Sequence, residues 1–179
     1  MFPGQGSQEI GMGNELLEKY SNLLKNTFEE SLGWSLESII NSDDPQLIKK
    51  TNIAQPYIFS ISYCYGIEAI NNLGNPAALI GHSLGEYTAL CLSGYLNFKD
   101  ALKVIAVRGE EMQKAVENSN TTMAAVLTND LNTTIEEINK LNNQGIQIWI
   151  SNYNDPSQIV ISSYTCLLYT SDAADEIAS

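Results

Sequence analysis

Four apolar residues, Ala77-Ala78-Leu79-Ile80, run into Gly81-His82-Ser83-Leu84-Gly85, and a helical pattern follows from Glu86 to Leu92, closed by Gly94. The short apolar run fits a buried strand. A G-x-S-x-G segment leading from a strand into a helix fits the sharp turn called a nucleophile elbow. In such a bend the serine projects outward and the flanking glycines let strand and helix approach closely. The helix N-terminus then lies beneath the hydroxyl, where its free N–H groups favour developing negative charge. The five-residue pattern arises by chance in roughly one chain in twenty of this length. The strand before it and the helix after it make Ser83 a candidate nucleophile.

Around this elbow the chain reads as mainly helical. Residues 1–13 form a Gly- and Gln-rich loop with glycines at 4, 6, 11 and 13, and nothing before the loop resembles a strand. Asn14 is placed to cap a helix whose apolar face is Leu16, Leu17, Tyr20, Leu23, Leu24 and Phe28. A short helix is expected at Leu36–Ile40. Another opens at Gln55-Pro56, since proline suits a first turn, and runs to about Asn72. The spacing predicts a longer helix over Phe98–Glu117. After Asn118-Ser119-Asn120 come a strand at Met123–Leu127, a helix at Asn132–Asn142, and strands at Ile146–Ser151 and Gln158–Ser162. This β-α-β-β series is an incomplete small α+β unit that wants another helix and strand. The tail from Ser163 to Ser179 follows neither pattern.

Composition excludes several function classes. At 179 residues the chain holds one domain, or one plus a small appendage. Nine basic residues against 21 acidic give a net charge of −12, which argues against nucleic-acid or anionic-membrane binding. No apolar run reaches membrane-spanning length, and the first residues lack the basic and apolar regions of a signal peptide. A cytoplasmic location is expected. Cys64, Cys91 and Cys166 fit no zinc or redox spacing and suit a reducing compartment; no metal site is expected. The chain has one histidine, His82, and one arginine, Arg108.

The loop Phe2-Pro3-Gly4-Gln5-Gly6-Ser7-Gln8 can expose backbone N–H groups to a ligand, and it lacks the lysine of a phosphate-binding P-loop. This loop, the segment Gly81-His82-Ser83-Leu84-Gly85-Glu86-Tyr87 and the segment Val107-Arg108-Gly109-Glu110-Glu111-Met112-Gln113 together resemble malonyl-CoA:acyl-carrier-protein transacylases. Thr51-Asn52-Ile53-Ala54-Gln55-Pro56 and Asn152-Tyr153-Asn154-Asp155-Pro156-Ser157-Gln158-Ile159-Val160-Ile161 are similar to further segments of that family, in the same order.

The resemblance spans roughly residues 1–162 and implies a fold: an α/β-hydrolase-like core with a parallel sheet over 1–119, and an inserted, incomplete ferredoxin-like α+β subdomain over 120–162. Residues 163–179 are left as a tail unlike the family.

The resemblance also implies roles. Ser83 matches the nucleophile, and the N–H groups of Gln5 and Leu84 match the oxyanion hole. Arg108, 25 residues past the serine, matches the arginine that binds the malonyl carboxylate. Guanidinium suits that task, holding a carboxylate by two parallel hydrogen bonds. Asn152 and Asn154 match positions near the active site, although turn formation beside Pro156 explains them equally well. His82 is read as a packing or substrate-contact residue. The family's catalytic histidine has no counterpart here, because the chain has no second histidine.

The expectation is therefore malonyl transfer from malonyl-CoA to acyl carrier protein through a Ser83 ester, with no cofactor, by a monomer. Three further expectations follow. The chain is truncated at both ends, its tail is a foreign extension, and by itself it has little activity. An acyltransferase domain of a polyketide synthase and a non-catalytic acyl-CoA or carrier-protein binding fragment stay open as alternatives. Lys99, Lys103 and Lys114 form either a carrier-protein docking face or a solvated helix face.

Overall fold

The computed structural model describes residues 1–117 and 120–165, and the chain divides into two compact units, Met1–Ala115 and Val116–Ser179. Most of the expected tail, 166–179, lies outside the described residues.

In the first unit the segment after the Gly-rich loop winds with three pitches. A 3₁₀ turn at Asn14–Leu16 is followed by a π-helical stretch at Asn22–Thr27 and then by α1 (Phe28–Leu32). The apolar face is as expected, with Leu16, Leu17, Leu24 and Phe28 buried, but one regular helix capped by Asn14 is not what forms. Gly13, at φ +84°, precedes the first turn, and no side chain caps it. The change of pitch goes with burying this apolar face in one core. Leu16, Tyr20, Leu24 and Phe28 recur every four residues, so a helix of 3.6 residues per turn rotates them apart by about 40° per step. A π-helical stretch widens the turn and keeps Leu24 and Phe28 on one face. Helix α2 (Leu36–Ile40) has the expected bounds, with Ser35 as N-cap accepting from the Ser38 N–H.

Helix α3 (Thr51–Leu73) is the centre of this unit. Its first turns are buried nearly all round, from Ala54 through Ser62, as befits a helix apolar on every side. It opens at Thr51 rather than at Gln55-Pro56. The Thr51 N–H donates to Gln113 Oε1 at 2.8 Å, so a side chain from a distant segment caps the helix and Pro56 falls one turn inside. Helices α4 (Gly85–Leu92) and α5 (Phe98–Glu117) complete the unit. Phe98 stacks on Phe59 with ring centroids 5.3 Å apart, and Ala101, Leu102 and Ile105 continue the buried face of α5.

The expected buried strand at Ala77–Ile80 is a correction. This segment forms one parallel bridge, Phe2 to Gly81, and Ile80 is 59% exposed. A strand exists only through its partners, and Phe2 is the one described residue that pairs with this segment.

In the second unit, β1 (Thr121–Leu127), α6 (Leu131–Asn143), β2 (Ile148–Asp155) and β3 (Gln158–Tyr164) follow in the expected order. The sheet order is β1-β3-β2, with β3 antiparallel to both neighbours. Such a split β-α-β arrangement is the first part of a ferredoxin-like fold. Ile138 of α6 packs on Ile159 and Ile161, flanked by Val126, Leu131 and Ile150. Asp130 caps α6 by accepting from the Thr133 N–H. Strand β3 extends two residues past Ser162 and pairs Tyr164 with Thr121. Among the described residues no helix is long and apolar enough to cross a membrane.

Phe59 has no exposed surface and joins α3 to α5. Replacing it with alanine is expected to lower stability by about 3–5 kcal/mol, read as a fall in the urea midpoint at unchanged slope.

Candidate active site

A sharp bend forms at Gly81–Gly85. Ser83 has φ +52°, the one non-glycine residue with positive φ among those described, and the turn closes through Gly85 N–H to His82 O (3.0 Å) and Glu86 N–H to Ser83 O (3.2 Å). A serine held there carries backbone strain of order 1–3 kcal/mol. The bend carries its side chain outward, and Ser83 is exposed at the start of α4.

Glycine makes the bend possible by allowing backbones to touch. A Cβ on Gly81 would lie 2.0 Å from the Gly85 carbonyl carbon, and one on Gly85 would lie 2.2 Å from the Phe2 carbonyl oxygen. Phe2 runs across this contact, donating to Ile80 O (2.9 Å) and accepting from the His82 N–H (3.0 Å). A Cβ on Gly4 would meet His82 Nδ1 at 2.9 Å, so the Gly-rich loop lies directly on the elbow.

The loop is tied down further along. Tyr57, fully buried, donates to Met12 O at 2.8 Å, with Glu9 O 3.0 Å away, and Gln8 Nε2 donates to Ile48 O at 3.0 Å. Desolvation pushes the Tyr57 hydroxyl up to about 12, so it remains a donor.

Arg108 comes from the middle of α5. Its Nη2 donates to Ser83 Oγ at 3.1 Å and its Nη1 to Gln55 Oε1 at 2.5 Å. Gly109, the next residue, lets α5 approach α3: a Cβ there would lie 3.1 Å from both Thr51 O and Asn52 Cα. Gln55 Nε2 donates to Gln5 Oε1 (3.3 Å) and lies 3.2 Å from Met112 Sδ. Gln5 Nε2 in turn donates to Thr51 Oγ1 (3.2 Å). The first unit therefore brings together Ser83, Leu84, Gln5, His82 and Arg108. Among the described residues, neither the Gln5 nor the Leu84 N–H donates to a backbone carbonyl.

Asn152 and Asn154 belong to the second unit. Both lie on β2, which changes register between Ile150 and Asn152 and again between Tyr153 and Asp155. Asn154 Nδ2 donates to Gln158 Oε1 at 2.8 Å across the hairpin. Lys99 pairs with Glu30 (3.5 Å) and Lys114 with Glu111 (2.8 Å).

Thr51, Gln55, Met112 and Gln113 are functional-site residues to which the sequence assigns no role. The signal for them is that all four lie in segments that carry the family resemblance.

Among the described residues cysteine is a poor alternative nucleophile, since burial pushes the Cys64 thiol up to about 12 and that of Cys91 up to about 11. Among the described residues no three His, Cys, Asp or Glu side chains group as metal ligands. A cavity of about 730 Å³ lies beside the elbow, lined by Pro76–Gly81, Glu86 and Tyr95 among others, and takes in neither Ser83 nor Arg108.

Comparison with known proteins gives the same constellation a context. The model of the acyl transferase domain family matches residues 1–167. A malonyl CoA-acyl carrier protein transacylase of Bacillus subtilis is 39% identical over 165 residues, covering 90% of this chain and 52% of that relative. The crystal structure of the corresponding transacylase of Burkholderia pseudomallei superposes with a TM-score of 0.85 at 32% identity, covering 97% of this chain and 58% of that one. A malonyl-transacylase solved with its type II polyketide synthase acyl carrier protein gives a TM-score of 0.81 at 30% identity, covering 99% and 58%. The α/β fold of these neighbours is thus shared, and the chain spans about half the length of the curated relatives it matches.

The glycine contacts set an expected outcome. Gly85→Ala places a methyl group on the Phe2 carbonyl, so a loss of at least about 3 kcal/mol is expected, the upper end for overpacking. Gly6→Ala, at φ +105° with open space around it, is expected to cost about 1 kcal/mol. Equilibrium unfolding of the two variants checks the difference.

Proposed function

The chain belongs to the acyl transferase domain family, and from that premise we propose that it carries a malonyl group from malonyl-CoA to the phosphopantetheine thiol of an acyl carrier protein, in the cytoplasm and without a cofactor. The observation that carries the proposal is the 3.1 Å contact between Arg108 Nη2 and Ser83 Oγ. A nucleophile and a fixed positive charge stand together, as a substrate with a thioester at one end and a carboxylate at the other requires.

In the proposed reaction Ser83 Oγ attacks the thioester carbonyl and gives up its proton to a base. The C–S bond breaks, coenzyme A leaves as the thiol, and malonyl remains as an ester on Ser83. The carrier-protein thiol then attacks that ester, the C–O bond breaks, and Ser83 regains its proton. Arg108 takes the malonyl carboxylate by paired hydrogen bonds. The Gln5 and Leu84 N–H groups receive the oxyanion, each worth about 3–4 kcal/mol in comparable sites. We assign His82, Asn152 and Asn154 to substrate contact. The fatty-acid and polyketide relatives share this chemistry, and the reading covers both pathways.

The base is the weak point. His82 is the only imidazole, and its ring lies against Gly4 while Ser83 Oγ reaches Arg108. We therefore propose that this chain by itself acylates slowly, since a general base contributes about 10²–10⁴-fold.

Intact-mass measurement after incubation with malonyl-CoA tests the reading. A malonyl adduct is expected on Ser83, formed faster in imidazole buffer and absent in Ser83→Ala. In Arg108→Ala the malonyl adduct is expected to form about 100-fold more slowly, as loss of a charge-assisted pair costs roughly 2–5 kcal/mol. No adduct in either buffer would overturn the proposal.

A further inference from the structure

Arg108 is held by a neutral partner. Gln55 has no exposed surface, and its Oε1 lies 2.5 Å from Arg108 Nη1. Arginine offers only donors, so the amide oxygen must face it and the amide nitrogen must point away. The nitrogen's two contacts, Gln5 Oε1 and Met112 Sδ, fix that orientation. The line of side chains continues from Gln5 to Thr51, and the Thr51 N–H closes it on Gln113. Arg108 and Gln113 both lie on α5, so this line of contacts leaves that helix at Arg108 and returns to it at Gln113. Among the described residues no carboxylate forms an ion pair with Arg108, in a chain with 21 acidic residues.

We infer that Gln55 is a positioning residue: it fixes the Arg108 fork over Ser83 and, being uncharged, leaves the positive charge for a carboxylate brought by the acyl group. A carboxylate at position 55 would hold the fork as firmly but would also neutralise it. A smaller or apolar residue would leave the charge but release a side chain with large rotamer freedom. An amide of glutamine length meets both requirements. The choice of acyl group rests on the malonyl-transfer reading. The hold on the guanidinium does not.

The single arginine makes this directly observable, because nitrogen-15 spectra of the full chain contain one set of guanidinium resonances. With Gln55 in place, hindered rotation should keep the Nη signals separate, and added malonate should shift the Nε–H signal saturably. In Gln55→Leu the Nη signals should merge and malonate should bind at least about tenfold more weakly. In Gln55→Glu the Nη signals should stay separate, while malonate binding at neutral pH falls at least about tenfold and returns as acid protonates the new carboxylate.

Separate Nη signals in a folded Gln55→Leu, with malonate affinity within twofold of the parent, would overturn the inference. So would a Gln55→Glu chain that binds malonate like the parent, which decides the matter if the leucine variant does not fold. If the parent chain binds no malonate, the malonyl reading fails, and the Nη comparison still decides whether Gln55 holds Arg108.

Discussion

Phe2 crosses the elbow at a distance that only glycine permits. Its N–H and C=O bond to Ile80 and His82, while Gly81 and Gly85 meet backbone to backbone beneath it. The consequences reach in two directions. Along the chain, the crossing sets Gly4 against His82 and so delivers Gln5 to the site. Within the elbow, the bend leaves Ser83 at positive φ, directed outward at the start of α4. A single methyl group on Gly85 would separate these parts, and each local conformation depends on the other being present.

Electrostatics adds the second constraint. A chain of net charge −12 still concentrates one positive charge beside Ser83. It does so with a single arginine whose partners are an amide oxygen and a hydroxyl. The surrounding polar groups are glutamines, a threonine and a methionine sulfur, all neutral. Hydrogen bonds of this kind fix geometry without cancelling charge. The arginine therefore stays oriented and available, which a carboxylate neighbour would have prevented.

Much of this was legible in the residues. The bounds of α2 and α5, the β-α-β-β order of the second unit and the bend at Ser83 all follow from local signals: a capping serine, a 3.6-residue period, alternation, and a glycine pair around a serine. The misreadings have one cause in common. The Thr51 start of α3 is decided by Gln113, 62 residues away. The mixed pitch after Asn14 is decided by what Leu24 and Phe28 pack against. Ala77–Ile80 has the composition of a buried strand, yet composition cannot supply a neighbouring strand. Gln55 lies in a helix opening and in a family-like segment, but nothing local indicates that its amide turns towards Arg108.

The sequence alone determined which chemical groups exist and how the chain bends near them. It contains one arginine, one histidine, a serine between two glycines and a glycine-rich loop, and local sterics dictate the turn. Only the tertiary structure decided which groups meet. Arg108, Gln55, Gln5 and Ser83 are separated by 25 to 103 positions, and no local preference links them. They converge because α3 and α5 pack through Gly109 and because the N-terminal loop lies on the elbow. Long-range packing is a property of the whole core, and it is therefore written in no single segment.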